Sequence, residues 1–213
     1  DIELAPGAIA ALLQRARDTG AALVSVMARL RCDSGWERLL VPPFVFFFKL
    51  LYPFAAVNDA RSPCAAAAGG CLLVETAALR DVGGYAAIRG ELIDDCALAR
   101  RIKQSGRRLW LGLSDDVRSV RPYPRFRDFW DMVARTAYTQ LRYSPLLLLL
   151  TSVLLLVAFA VPPLVLVLAP APAARWVALA ALAAMALAYW PVARFYGRPL
   201  RTVLLLPVAA LAY

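Results

Sequence analysis

The 213-residue chain contains no histidine. That single absence excludes Ser-His-Asp triads, histidine metal ligands and imidazole acid–base chemistry. A general base here must be Asp, Glu, Lys, Tyr or Cys. Cysteine is sparse too: Cys32, Cys64, Cys71 and Cys96 form no Cys-x-x-Cys pair. Such spacing argues against a zinc site and points to free thiols rather than disulfides. Acidic residues are outnumbered, 15 Asp+Glu against 24 Lys+Arg, for a formal net charge of +9. In a water-soluble chain this balance suggests nucleic acid. Here 61% hydrophobic residues and a mean hydropathy of +0.60 redirect it to an anionic membrane surface or an anionic ligand, with no nucleic-acid partner expected. The length suits one domain with its own core plus an appendage. The chain opens at Asp1 without Met or a signal peptide and stops at Tyr213 inside an apolar run, so a segment of a longer protein is expected.

Charge is absent altogether from Pro145 to Ala169, "PLLLLLTSVLLLVAFAVPPLVLVLA". That run exceeds the roughly 20 residues that cross a bilayer as a helix. Pro162 and Pro163 kink it, which a membrane helix tolerates. A second span is expected over residues 176–193, "WVALAALAAMALAYWPVA", with aromatics at both ends as interface anchors. A third apolar run begins at Leu200. Six arginines lie from Arg118 to Arg142, one (Arg175) separates the spans, and Arg194, Arg198 and Arg201 come after the second. By the positive-inside tendency, the region before residue 144 is cytoplasmic and the chain returns to that side near Arg194.

Residues 1–120 alternate between helical and extended patterns. Helix is expected from Pro6 to Asp18 and from Leu92 to Gln104, the latter stopped by Gly106. Strands are expected over Ala21–Leu30, Cys71–Glu75 and Arg107–Gly112. This alternation indicates an α/β domain with a mixed sheet. The proline-interrupted stretch from Leu39 to Val57 reads equally as an interfacial helix on a bilayer or as a buried core helix.

"GGYAAIRGELIDDCALARRIKQSG" carries the adjacent carboxylates Asp94 and Asp95 at the start of an expected helix. A carboxylate there accepts hydrogen bonds from free backbone N–H groups and complements the helix dipole. One held near flexible glycine loops can equally face a cleft as a general base. Leu98 and Ile102 share a helix face with Asp95. Spacing alone leaves cap and base even.

A resemblance separates them. "DDCALARRIKQSG" resembles the acidic-pair segment of family-2 inverting glycosyltransferases, in which the second acidic residue deprotonates the acceptor hydroxyl. "AGGCLLVETAALRDVGGY" is similar to that family's acceptor-side strand, helix and turn. "DIELAPGAI" resembles the end of an Asp-x-Asp metal motif and the residues just after it, with Asp1 as the last Asp. Within the family, "NDARSPCAAAAGGC", "GGYAAIRGELIDDCALA", "RSVRPYP" and "ARTAYTQLRYSPLLL" together resemble the hopene-associated membrane glycosyltransferases of bacterial hopanoid gene clusters.

The resemblance implies a GT-A-type α/β domain and transfer from a nucleotide-sugar donor to a lipid, with a hopanoid as one acceptor. It implies Asp95 as base with Asp94 beside it, Asp1 as a ligand of a divalent metal (Mn or Mg), and Gly69 and Gly70 near sugar or acceptor. Gln140 and Arg142 take the place of the Q-x-x-R-W motif. That motif is altered here, with Thr139 and Tyr143 at its ends, so Arg142 reads equally as a phosphate ligand or a juxtamembrane anchor. The change also favours transfer of a single sugar over processive polysaccharide synthesis. Trp36, Tyr85 and Trp110 are candidates for sugar stacking, with core packing the better reading for each.

The expected organisation is therefore a C-terminal transferase half over residues 1–120, a basic juxtamembrane helix over 121–143 and a membrane region over 144–213. It implies a multi-pass protein of the bacterial inner membrane with its catalytic part in the cytoplasm. Two rivals remain: a non-catalytic membrane anchor with a degenerate transferase fold, and a transporter subunit, for which spans without intramembrane charge argue poorly.

Overall fold

Ala21–Arg29 (β2) is buried along almost its whole length, because its run of Ala, Val, Leu and Met offers apolar side chains to both sheet faces. It is the pivot of a four-stranded mixed sheet in the computed structural model, which describes residues 1–213. Strand order is β1-β4-β2-β3, with β1 at Ile2–Leu4, β3 at Leu72–Val74 and β4 at Arg108–Ser119. β4 runs parallel to β2, with Val24 opposite Trp110 and Val26 opposite Gly112. β1 pairs antiparallel with the far end of β4, Ile2 opposite Ser119. β3 pairs antiparallel with β2, Leu23 opposite Val74.

The chain divides into two compact units. The sheet unit comprises residues 1–31 and 48–122. Its helices are α1 (Ala8–Thr19), α3 (Phe54–Asn58), α4 (Thr76–Asp81) and α5 (Asp94–Gln104). Side chains alternate across β2. Val24, Val26 and Ala28 meet Leu12 of α1 and Val117 of β4. Leu98 and Ile102 of α5 are fully buried, and that helix packs against β2 and β4.

The expected elements are present with shifted ends. The first helix runs 8–19 rather than 6–18, and α5 begins at Asp94 instead of Leu92. β4 runs on to Ser119, well past Gly112. Its polar half, "SDDVRS", hides the period of a strand, yet β1 supplies hydrogen-bond partners there. Gly106 does lie just past the end of α5, at φ +83.

The second unit comprises residues 32–47 and 123–213. It holds most of α2 (Gly35–Leu51), then α6 (Phe126–Gln140), α7 (Pro145–Leu155), α8 (Val161–Leu168), α9 (Pro172–Phe195) and α10 (Leu206–Leu211). α2 tolerates Pro42 and Pro43 in its interior. Leu40, Val41, Val45 and Phe46 are buried, Phe44 meets Phe129 of α6 edge-on, and Phe46 meets Tyr189 of α9. Tyr213 donates its hydroxyl to the Leu40 carbonyl. The 39–57 stretch thus becomes two helices broken at Pro53, with α2 meeting α6 and α9 through Phe44 and Phe46.

The start of α2 is fixed by Glu37, only 2% exposed. Its carboxylate accepts from the backbone N–H of Asp33 and Ser34 at 2.9 and 2.8 Å and from that of Tyr123 at 2.6 Å. Ser34 Oγ accepts in return from Glu37 N, forming a capping box. Burial opposes the charge on Glu37, but these hydrogen bonds prevail and hold its carboxyl below the ordinary value.

α7 and α8 form one apolar helix from Pro145 to Leu168 through a widened turn at Leu156–Ala160. The turn sits where Pro162 and Pro163 remove two backbone donors. This helix and Pro172–Phe195 each have 24 residues and are long and apolar enough to cross a membrane. At 1.5 Å per residue each is about 36 Å long, against roughly 30 Å of hydrocarbon. Only 6% and 22% of their most apolar windows are buried, so most of their apolar side chains face outward.

Candidate active site

The site is built on a run of small residues. Ala65–Ala68 is buried, and alanines there let α5 and β2 approach from two sides. Ser25 of β2 accepts from Ala68 N at 2.8 Å and donates to Ala68 O at 3.2 Å. The Cys96 thiol of α5 donates to Ala67 O at 3.4 Å. These contacts deliver the chain into a turn at Gly69–Gly70, closed by Cys71 N donating to Ala68 O at 3.3 Å.

Both glycines sit at close approaches. A methyl on Gly69 would lie 3.1 Å from Oδ2 of Asp95, and one on Gly70 would lie 3.3 Å from Ala28 Cβ and from Ile2 Cδ1. The turn is wedged between the Asp95 carboxylate and the ends of β1 and β2. Ala28 lies near the carboxyl end of β2, where open α/β sheets bind ligands. Asp1 immediately precedes Ile2, and its carbonyl accepts from Val120 N at 2.9 Å.

Asp94 and Asp95 occupy the first two positions of α5, and the cap position itself belongs to Ile93. Neither carboxylate is therefore the N-cap residue. Asp94 is exposed and accepts from the Asp95 N–H at 2.9 Å, a cap-like bond. Asp95 turns inward, accepting from Cys96 N at 2.7 Å and from the Gly69 N–H. Burial pushes its carboxyl above the ordinary Asp range, and the Asp94 charge adds to this. The two backbone donors oppose it. Burial, aided by the Asp95 charge, likewise pushes the Cys96 thiol up to about 12, so it stays a neutral donor to Ala67.

Three further residues hold this scaffold. Lys103 donates to the carbonyls of Ala56, Val57 and Cys64 at 3.2, 2.8 and 2.6 Å, and burial lowers its pKa. Asn58 pairs with the backbone of Leu111 through both amide atoms, at 3.1 and 2.7 Å, and so substitutes for a neighbouring strand beside β4. Ser25 is the third. Its signal was available in the sequence as the lone polar residue inside the apolar run of β2. Lys103 and Asn58 carry no such mark.

Gln140 and Arg142 belong to the second unit. Gln140 ends α6, and beyond it Arg142 and Tyr143 adopt left-handed conformations, φ 53 and 56. Two such non-glycine residues in succession are unusual. Tyr143 is held by the Tyr138 hydroxyl on its carbonyl at 3.1 Å and by the Thr139 hydroxyl on its own at 3.2 Å. The corner leaves Arg142 exposed.

Among the aromatic candidates, Trp110 lies between the Arg15 guanidinium, 4.8 Å from its ring, and Gly112, where a methyl would collide with the indole. Trp36 meets Phe126 at a tilt, 5.3 Å between ring centres, and Tyr85 is exposed.

For a divalent ion the donor set is narrow. No group of three or more His, Cys, Asp or Glu comes together, so this chain does not build a cage of its own. Mg can also take one or two carboxylates and complete its shell with substrate phosphates.

A half-buried acid with a raised pKa beside a glycine turn at the strand ends is a candidate functional site. Residues 1–211 match the family model Glycosyl transferase family 21. The chain belongs to glycosyl transferase family 21 and is a glycosyltransferase, acting between a sugar donor and an acceptor. Comparison with curated proteins and with solved structures finds no match.

Proposed function

We propose that this chain forms the acceptor-side half of a GT-A-type, family-2-like inverting transferase. In this reading it moves a single sugar from a nucleotide-sugar donor to a lipid at the membrane face. The observation that carries the reading is the Asp95 carboxylate, lodged against Gly69 with its pKa raised by burial, in a chain of a glycosyltransferase family. A raised carboxyl, once ionised, is a better proton acceptor than an ordinary one. Asp95 takes the proton of the acceptor hydroxyl as that oxygen attacks the anomeric carbon. The bond from that carbon to the donor phosphate breaks on the opposite side, and its electron pair leaves with the nucleotide diphosphate. One displacement inverts the configuration.

Asp94 keeps the Asp95 backbone in place and its charge favours the protonated form of Asp95. Gly69 and Gly70 admit the reacting partners close to backbone. Asp1 would hold a Mg or Mn ion together with the donor diphosphate, whose charge that ion neutralises. Gln140 and Arg142 would serve phosphate oxygens at the membrane face.

The outward-facing apolar helices support spanning of the bacterial inner membrane. The arginines from Arg118 to Arg142 and those at Arg194, Arg198 and Arg201 support a cytoplasmic catalytic side. The likeness of residues 58–150 to hopene-associated transferases supports a hopanoid as the acceptor.

The test is Asp95→Asn in the full-length protein, with membranes assayed for sugar transfer from nucleotide sugar to extracted lipid. Loss of a general base lowers the rate by about 10²–10⁴-fold. Undiminished transfer overturns the role of Asp95 as the base.

A further inference from the structure

The second unit contains a cleft of about 220 Å³ that the transfer chemistry does not use. Arg38 in the first turn of α2 and Arg198 just past α9 line it, together with Tyr189, Leu39, Leu205 and Leu206. No Asp or Glu is among its walls. Two guanidinium groups therefore share a partly apolar hollow without a counter-charge inside it.

The position of Arg198 is imposed by the chain. α9 ends in a Schellman motif: Gly197 N donates to Arg194 O at 2.9 Å and Arg198 N to Ala193 O at 2.9 Å. Gly197 adopts φ +64 there, a left-handed turn that glycine takes without strain, and Pro199 prevents the helix from continuing. The guanidinium is thus carried on a fixed corner. Its Nε is buried and has no hydrogen-bond partner. A buried donor on a permanent cation is costly to leave unmet, and most such groups in folded proteins are paired. Thr202, also at the cleft, spends its hydroxyl proton on Pro199 O at 2.7 Å, so the donors left for a ligand are the arginines and the Tyr189 hydroxyl.

We propose that this cleft binds a phosphate group, with Arg198 and Arg38 as its ligands and the leucine side receiving an apolar tail. Arginine forks match phosphate oxygens. The volume lies below the roughly 300–1,000 Å³ of pockets that enclose whole small molecules, which suits a head group and excludes a complete nucleotide sugar. The site lies in a different unit from Asp95 and does not depend on the catalytic reading.

The test uses the full-length protein in detergent, titrated with phosphatidylglycerol, with phosphatidylcholine and with inorganic phosphate, and monitored by native mass spectrometry and thermal denaturation. Retention of one phosphatidylglycerol is expected, in preference to phosphatidylcholine. Binding should weaken by about tenfold to a hundredfold in Arg198→Gln, the loss of a charge-assisted hydrogen bond. Arg38→Gln, at an exposed position, should act in the same direction and serves if Arg198→Gln does not fold. Arg201→Gln removes the same charge outside the cleft and should change nothing. Stabilisation by inorganic phosphate that Arg198→Gln or Arg38→Gln abolishes identifies a soluble phosphate as the source, and its absence beside lipid binding identifies the head group. Anion binding that neither cleft variant weakens, or that Arg201→Gln weakens equally, overturns the proposal, as does failure of both anions to bind.

Discussion

Gly69→Ala tests the contact on which the catalytic reading rests. The added methyl would lie 3.1 Å from Asp95 Oδ2, closer than ordinary contacts, so one partner must yield by a few tenths of an ångström. The carboxylate has little freedom to do so. Cys96 N holds Oδ1 at 2.7 Å and the Gly69 N–H is its other donor. Retreat from the methyl weakens the Gly69 bond, and a hydrogen bond to a charged group is worth about 1.5–3 kcal/mol. If that loss falls on the transition state, kcat/KM drops about 10- to 100-fold.

The sign of the pH effect separates this from simple destabilisation. Asp95 must be ionised to act, so activity falls as pH drops through its pKa, which lies above the ordinary 3.8. The Gly69 N–H favours the ionised form, and weakening it raises the pKa further. The acid limb of kcat/KM, measured as sugar transfer to lipid in membranes, should therefore move to higher pH. An alanine variant with an unchanged rate and an unmoved limb would refute the proposed geometry. A limb moved to lower pH would do the same.

Two buried polar groups give further measurable outcomes. Glu37→Gln turns an amide N–H₂ towards backbone donors in a site that is 2% exposed, at a cost of about 1–3 kcal/mol read as a lower thermal midpoint. Because the folded-state pKa of Glu37 is depressed, its stabilisation is present above the ordinary 4.5 and is lost as pH falls through the lower folded value. The Gln variant should lack that acid-side loss, and an equally steep loss would show that Glu37 is not its source. Lys103→Met keeps the aliphatic stem but strands the carbonyls of Ala56, Val57 and Cys64. Limited proteolysis should then cut faster between residues 56 and 64, and an unchanged cleavage pattern would deny Lys103 its role as a clasp.

Much of the architecture was legible because it arises from local periodicity. The apolar run of β2, the helical spacing of Leu98 and Ile102, and the uncharged stretches after Ser144 each declare an element through side chains close in sequence. Element ends were less legible, since they depend on partners elsewhere. β4 extends to Ser119 because β1, more than a hundred residues earlier, supplies its hydrogen bonds. Prolines at 42 and 43 obscured a helix that aromatic packing against α6 and α9 sustains.

For the acidic pair, composition alone excluded histidine from any acid–base chemistry, and the motif placed two carboxylates at the start of a helix. Which of them turns inward was a tertiary decision. Asp94 faces solvent while Asp95 meets Gly69, twenty-six positions earlier in the chain, because Ser25 and Cys96 hold the Ala67–Ala68 backbone against α5. Sequence encodes such a contact only as a glycine and an aspartate far apart. The raised pKa of Asp95 arises from the burial that their meeting creates.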